Sequence, residues 1–343
     1  MKTSEFDFDL PESSIAQHPV EPRDHSRLMV LDRAAGRWEH SRFDRLPDRL
    51  ARGDLLVRNN SRVVPARLIG VRAATGGRWE GLFLRSVDGG AIWEILSKTR
   101  GRLQPGERVR VGEGLELELI ERSSDGAWLV RPDSTLDVVS LLERHGRLPL
   151  PPYIRKGQEG PGDRERYQTV FAREAGSVAA PTAGLHFTSE LMARLAEGGI
   201  ETVDSTLHVG VGTFRPIEAE EIEEHRIHAE HAELSAAAAE RLNAARARGS
   251  RIVAVGTTSA RTLETAASSG RFEAFKGETS TYILPGREIL GFDALITNFH
   301  LPRSSLLVLV SAFAGREFVL EAYREAVREG YRFYSYGDAM LIV

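Results

Sequence analysis

Two of the ten histidines in this 343-residue chain, His186 and His208, sit in loops of small residues that flank one amphipathic stretch. The first loop reads Ala180-Pro-Thr-Ala-Gly-Leu-His-Phe-Thr188, the second Leu207-His-Val-Gly-Val-Gly-Thr-Phe214. Imidazole is the side chain that exchanges a proton nearest neutral pH, so it is the default group for moving protons. Glycine and threonine beside it let amides and hydroxyls approach a ligand closely. A lone histidine is usually a hydrogen-bonded core residue; two in such loops tilt the balance toward a site. Asn298-Phe-His300 closes a third apolar stretch in the same way. Val255-Gly-Thr-Thr-Ser259 offers a different chemistry, because it joins a strand to a helix N-terminus, where free amides suit a carboxylate or phosphate. It is neither a Walker loop nor a dinucleotide fingerprint. Capping of the helix by Thr258 or Ser259 accounts for the same letters without a ligand. His225, His228 and His231 recur every third residue beside Glu230 and Glu233, a conceivable metal site. A charged exposed face gives the same pattern, so no metal is expected.

These loops need elements to hold them. Leu191, Met192 and Leu195 recur at helical spacing between Ser189, a candidate cap, and the stop Gly198-Gly199. Ile200 to Leu207 is apolar and β-branched enough for a strand, which leaves His208 at its end. Arg251–Val255 and 294–297 are further strands, 235–248 and 318–329 helices, and 306–314 either. A short acidic helix start is expected at 218–224 and a closing strand over 334–343, with Asp338 in a Gly-Asp turn. In an open α/β sheet ligands bind at the strand ends. Phe6, Phe8 and Leu10 mark an N-terminal arm docked by its apolar side chains. From Ala66 to Pro132 the texture changes to about six short alternating segments separated by glycine-rich turns, which indicates a small all-β barrel or sandwich. Residues 155–166, charged and glycine-rich, read as a mobile surface loop. The expected fold class is therefore α/β, with a discontinuous α/β domain of residues 1–64 and 155–343 and an inserted antiparallel β-barrel of residues 65–154.

Apolar residues make up 41% of the chain and charged residues 27%, ordinary values for a globular protein. No cysteine is present, which excludes disulfides, thiolate catalysis, zinc–cysteine sites and iron–sulfur clusters. The N-terminus lacks the apolar core of a signal peptide. The longest apolar run, 305–313, falls far short of the roughly 20 residues a membrane span needs. A cytoplasmic protein is expected. The net charge of −4 argues against a strongly basic nucleic-acid binder. Two local strips are basic all the same: Arg58, Arg62, Arg67 and Arg72; and Arg144, Arg147, Arg155, Lys156, Arg164, Arg166 and Arg173. Tyr153 and Tyr167 interleave with the second strip as stacking platforms. A polyanion partner fits these strips, and so does a solvated face neutralised elsewhere.

Longer motifs narrow the reading. Phe6-Asp-Phe-Asp-Leu-Pro11, Arg62-Val-Val-Pro-Ala-Arg67, Leu148-Pro-Leu-Pro-Pro-Tyr-Ile154 and Asp163-Arg-Glu-Arg-Tyr-Gln-Thr169 occur in that order. The two histidine loops, Val255-Gly-Thr-Thr-Ser-Ala-Arg-Thr-Leu-Glu264, Leu295-Ile-Thr-Asn-Phe-His-Leu-Pro302 and Tyr331-Arg-Phe-Tyr-Ser-Tyr-Gly-Asp-Ala-Met340 follow. Together they resemble the S-adenosylmethionine:tRNA ribosyltransferase-isomerase family of queuosine biosynthesis over essentially the full length. The chain departs from it at Arg58-Asn-Asn-Ser61, where an aromatic residue and Asn-Asp-Thr are usual, and at Gly277-Glu-Thr-Ser280, where Gly-Trp-Thr-Asp is common. The resemblance implies an α/β domain with an inserted barrel. It implies an enzyme that moves the ribosyl part of S-adenosylmethionine onto 7-aminomethyl-7-deazaguanine at the wobble position of tRNAs with GUN anticodons, isomerises it to form epoxyqueuosine, and releases adenine and methionine. S-adenosylmethionine is then a consumed substrate and no cofactor is needed. On that footing His186, His208 and His300 are the catalytic candidates. Thr182, Gly184, Gly210, Thr213, Gly256, Thr257, Thr258, Ser259 and Asn298 are candidates for S-adenosylmethionine, and Arg62, Arg67, Tyr153, Arg164 and Arg166 for tRNA. A monomer is expected. The alternatives are a non-catalytic tRNA-binding protein and an S-adenosylmethionine-dependent methyltransferase, whose usual glycine-rich loop is missing.

Overall fold

The computed structural model describes residues 1–124, 126–210, 216–267 and 269–343. The chain divides into two compact units, one of residues 1–61, 166–174 and 180–343, the other of residues 62–165 and 175–179.

The first unit is built on a mixed sheet. Its strands are β1 (Arg27–Asp32), β2 (Arg37–Arg42), β3 (Leu55–Asn59), β12 (Glu201–Leu207), β13 (Glu230–Leu234), β14 (Ile252–Val255), β15 (Phe275–Thr279), β16 (Ala294–Asn298) and β17 (Ala339–Ile342). They lie in the order β15-β13-β12-β3-β14-β16-β17-β1-β2. The central strands β12, β3, β14 and β16 are parallel. Every residue of β14 and β16 is buried, because helices cover both faces of a parallel core. One face packs against α4 (Ala236–Ala247), α5 (Gly256–Ala266), α6 (Ser305–Ala314) and α7 (Arg316–Arg328), and Phe6 and Phe8 of the N-terminal arm are buried in that layer. The other face carries Phe43, Leu46, the turn Thr182–His186 and α3 (Ser189–Glu197).

The topology sets where side chains can meet. β17 runs antiparallel to β16, pairing Asn298 with Ala339, and β1 runs parallel to β17. The ends of β12, β3, β14 and β16 and the starts of β17 and β1 therefore share one edge of the sheet. His208, Gly256, His300, Tyr334 and Arg23–Ser26 all lie on chain that leaves or enters at that edge.

The second unit contains β4 (Ser61–Val63, which begins at the last residue of the first unit), then β5 (Arg67–Arg72), β6 (Arg78–Val87), β7 (Ile92–Thr99), β8 (Arg108–Gly112), β9 (Leu115–Arg122) and β10 (Trp128–Pro132), with α1 (Val138–His145) and α2 (Asp163–Arg166) after them. Strands β5 to β10 close into an antiparallel barrel in the order β10-β7-β6-β5-β8-β9. In β9 the leucines 115, 117 and 119 point inward and alternate with half-exposed glutamates, the period-two pattern of a sheet with one buried face. Closure leaves no unpaired strand edge. β4 and β11 (Glu174–Ser177) pair as a separate two-stranded sheet.

Several sequence expectations need correction. Thr188, not Ser189, caps α3, its hydroxyl accepting from the Leu191 amide at 3.1 Å. The closing strand starts only at Ala339, because Asp338 holds the amides of Arg27 and Arg332 at 2.9 and 2.8 Å and so bends the preceding segment into a turn. Residues 218–224 contain only a short turn at Ile222–Glu224. Residues 155–166 are pinned rather than mobile: buried Asp163 accepts from Gly160 N at 2.7 Å and pairs with Arg155.

Candidate active site

A cleft opens at that sheet edge. It is lined by Thr182, Gly256, Thr257, Thr258, Asn298 and His300 among the expected residues, and by Val209, Thr297, Leu306, Tyr334 and Ser335 beside them. They come from several separate segments of the chain. Thr182 opens the 182–186 turn, and Gly256 opens α5 at φ +89°, a conformation glycine takes without strain. α5 has no side-chain cap, so its first amides are not taken up by the residue before it. Asn59 ties three of these elements together: its amide nitrogen donates to Leu207 O (2.9 Å) and to Thr258 Oγ1 (3.2 Å), and its oxygen accepts from Leu207 N (3.1 Å). Within the 58–61 segment, where the chain departs from the usual pattern at its neighbours, Asn59 keeps the family's asparagine and fixes the start of α5 against the end of β12.

Asn298 is the hinge of the polar network. Its nitrogen donates to Tyr334 O at 3.1 Å and lies 3.1 Å from His186 Nε2, while its oxygen is buried with no partner among the described residues. An unpaired buried acceptor is costly, and here it belongs to a cleft residue, where a ligand donor can satisfy it. His186 Nδ1 lies 2.7 Å from Ser26 Oγ, and its ring stacks on Phe43 at 5.0 Å. With Asn298 donating to Nε2, the proton of neutral His186 belongs on Nδ1. Burial, with the charges of Arg23 and Arg332 adding to it, drives the His186 pKa down to about 3. Burial alone does the same to His300, also to about 3, and its Nε2 lies 2.8 Å from Thr297 Oγ1. Both imidazoles are therefore neutral at physiological pH.

The remaining expected residues lie away from the cleft lining. His208 is half-buried, stacks on His231 at 6.0 Å, and has its pKa lowered by burial and by His231; Val209, its neighbour, is the cleft residue. Gly184 packs so closely on Phe171 and Thr169 that an added Cβ would lie 2.8 Å from each. The Gly210 amide donates to Glu230 Oε1 at 2.7 Å, and Ser259 is fully buried in α5. Thr213 lies outside the described residues. The arginines expected to meet tRNA each pair with a carboxylate: Arg62 with Glu143 (2.8 Å), Arg67 with Glu80 (2.8 Å) and Arg164 with Glu159 (3.1 Å) in the second unit, and Arg166 with Glu21 (2.6 Å) in the first. Tyr153 is half-buried. Tyr334 and Ser335 escaped the sequence reading because their segment looked like a strand. The signal lay in Gly337-Asp338, a turn pair that stops the strand short.

The sequence matches the family of queuosine biosynthesis proteins over residues 3–342. The chain belongs to that family. Among the relatives, the S-adenosylmethionine:tRNA ribosyltransferase-isomerase of Desulfitobacterium hafniense is 52% identical over 345 residues, covering 100% of both chains. The enzyme of the same name from Moorella thermoacetica is 53% identical over 357 residues, again covering 100% of both. Among solved structures, the S-adenosylmethionine tRNA ribosyltransferase of Thermotoga maritima superposes with a TM-score of 0.58 at 40% identity, covering 99% of this chain and 100% of its own. The two structures thus share their fold over nearly the whole of both chains.

Proposed function

We propose that this queuosine-family chain is an S-adenosylmethionine:tRNA ribosyltransferase-isomerase working at the cleft on the sheet edge. It uses S-adenosylmethionine and tRNA as substrates. The observation that carries the reading is full-length identity of about half to enzymes of that name. In finer detail, the ribosyl part goes to 7-aminomethyl-7-deazaguanine in the wobble position of GUN-anticodon tRNA, with adenine and methionine released. The enzyme acts in the cytoplasm as a monomer. It needs no cofactor, since S-adenosylmethionine supplies both the ribosyl carbons and the leaving groups.

The cleft chemistry supports this division of labour. The methionine carboxylate suits the uncapped start of α5, where amides and helix dipole favour an anion. The unpaired Asn298 oxygen accepts from a substrate N–H or O–H. A proton beside the sulfonium must leave, and adenine must gain one as it departs. His300 starts neutral, so it enters as the proton acceptor. The burial that keeps it neutral also makes it a weak base, so the acidity that the sulfonium gives the neighbouring C–H must drive the first transfer, after which the imidazolium passes its proton to adenine. His186 holds the orientation of Asn298. The test is a product-resolved assay with S-adenosylmethionine and tRNA carrying the modified base. Equimolar adenine and methionine are expected, and they should persist after exhaustive chelation. S-adenosylhomocysteine would show a methyltransferase, and no turnover with tight tRNA binding a non-catalytic protein.

A further inference from the structure

A second, smaller cavity neighbours the cleft at the same sheet edge and shares Ser335 with it. Arg23, Ser26, His186 and Tyr336 complete its polar lining. Arg23 stands out among these. Its Nη1 donates to Leu185 O at 3.1 Å, while its Nη2 is sealed from bulk solvent and donates to none of the described residues. Of the acids along this segment, Glu21 pairs with Arg166 at 2.6 Å and both oxygens of Asp338 accept backbone amides, while Asp24 accepts from Thr188 through Oδ2 at 3.0 Å and leaves Oδ1 without a partner among the described residues. Burial lowers the guanidinium pKa to about 10, with Tyr336 and Glu21 opposing the shift and the like charge of Arg166 adding to it. Arg23 is half-buried as a residue, yet a guanidinium N–H out of reach of water and without an acceptor is costly, and a guanidinium presents a planar fork matched to carboxylate or phosphate oxygens.

We propose that the Arg23 guanidinium turns to the mouth of this cavity to form an oxyanion seat beside the active site, and that its occupant is a phosphodiester of the tRNA next to the modified nucleotide. The inference rests on the reaction proposed above. S-adenosylmethionine carries one carboxylate, for which the start of α5 is already the better seat. The substrate base, by contrast, cannot reach the cleft without bringing its own backbone phosphates to the cleft's rim. A phosphate held at Arg23 would fix the base relative to His186 and Asn298.

The experiment compares wild type, Arg23→Gln and Arg23→Lys in three binding measurements: tRNA over a range of salt, S-adenosylmethionine, and decarboxylated S-adenosylmethionine. With its one phosphate partner unheld, Arg23→Gln should bind tRNA about tenfold or more weakly and show a log–log salt slope flatter by about one unit. Binding of S-adenosylmethionine should be unchanged. Arg23→Lys keeps the charge and loses the fork, so it should weaken tRNA binding while keeping the slope; it carries the test alone should Arg23→Gln not fold. If S-adenosylmethionine binding falls instead and its decarboxylated form binds as before, the seat stands with the carboxylate as occupant. Unchanged binding of all three ligands in a folded Arg23→Gln protein overturns the proposal. Adenine release by the wild type, run in parallel, separates this failure from failure of the reaction itself.

Discussion

Two buried, neutral histidines make the protein sensitive to acid, and the size of the effect follows from the structure. His186 and His300 have folded-state pKa values lowered by burial from 6.5 to about 3. The unfolded chain therefore binds more protons than the folded one between those values. Stability is fully present above about pH 7 and falls as the pH drops through 6.5 toward 3. At pH 5, about one and a half pH units below the unfolded value, each histidine costs about 2 kcal/mol at roughly 1.4 kcal/mol per unit. The pair costs about 4 kcal/mol, a large share of the roughly 5–15 kcal/mol that holds a typical domain together. Lowered carboxylates such as Asp44, hydrogen-bonded by Arg42, add their own loss at lower pH, so the variants must be compared with wild type. Urea unfolding at pH 7.5 and pH 5.0 of wild type, His300→Gln and His186→Gln isolates the histidine contribution. Each variant should lose about 2 kcal/mol of the pH dependence, whatever its stability at pH 7.5. Equal pH dependence in all three proteins would mean that these imidazoles are not held neutral by burial. So would an imidazole signal of either residue titrating near pH 6.5 in the folded state.

Other consequences can be checked separately. His300→Ala should lower turnover by about two to four powers of ten with tRNA affinity retained; near-normal single-turnover rates would remove it from the chemistry. Glu230→Ala leaves Arg261, 7% exposed, without its carboxylate and the Gly210 amide without its acceptor. It should cost about 3–5 kcal/mol in denaturant unfolding, and a much smaller loss would mean the pair is solvated. Neutralising Arg62 and Arg164 together should flatten the salt dependence of tRNA binding by about one unit for each phosphate they hold. A wild-type slope would place the footprint elsewhere, since their ion pairs with Glu143 and Glu159 are exposed and contribute little to stability.

Much of the architecture was legible because it rests on local pattern. The alternating leucines of 115–119 and the turns around them announced the barrel, and the all-apolar 252–255 a covered strand. What escaped depends on tertiary context. β13, Glu-His-Ala-Glu-Leu, and β15, Phe-Lys-Gly-Glu-Thr, extend the sheet with polar outer faces, so their letters looked like a charged surface or a metal cluster. Glu230 appeared to belong to that surface, yet it is 6% exposed and paired with Arg261. Within the site, the strand-end loops pointed to Thr257, Asn298 and His300, because sheet topology alone brings such loops to one edge. That His186 stands behind Asn298, and that burial removes two imidazoles from the neutral titration range, depend on packing that no spacing encodes.

Transfer of the ribosyl group, as opposed to the methyl group, can be read out with S-adenosylmethionine labelled separately in the ribose and in the methyl group. After reaction with tRNA carrying 7-aminomethyl-7-deazaguanine, the ribose label should enter the tRNA in a one-to-one ratio with adenine released, and the methyl label should leave entirely as methionine. Methyl label in the tRNA, with the ribose label left in S-adenosylhomocysteine, would show that the chain transfers methyl groups and is no ribosyltransferase.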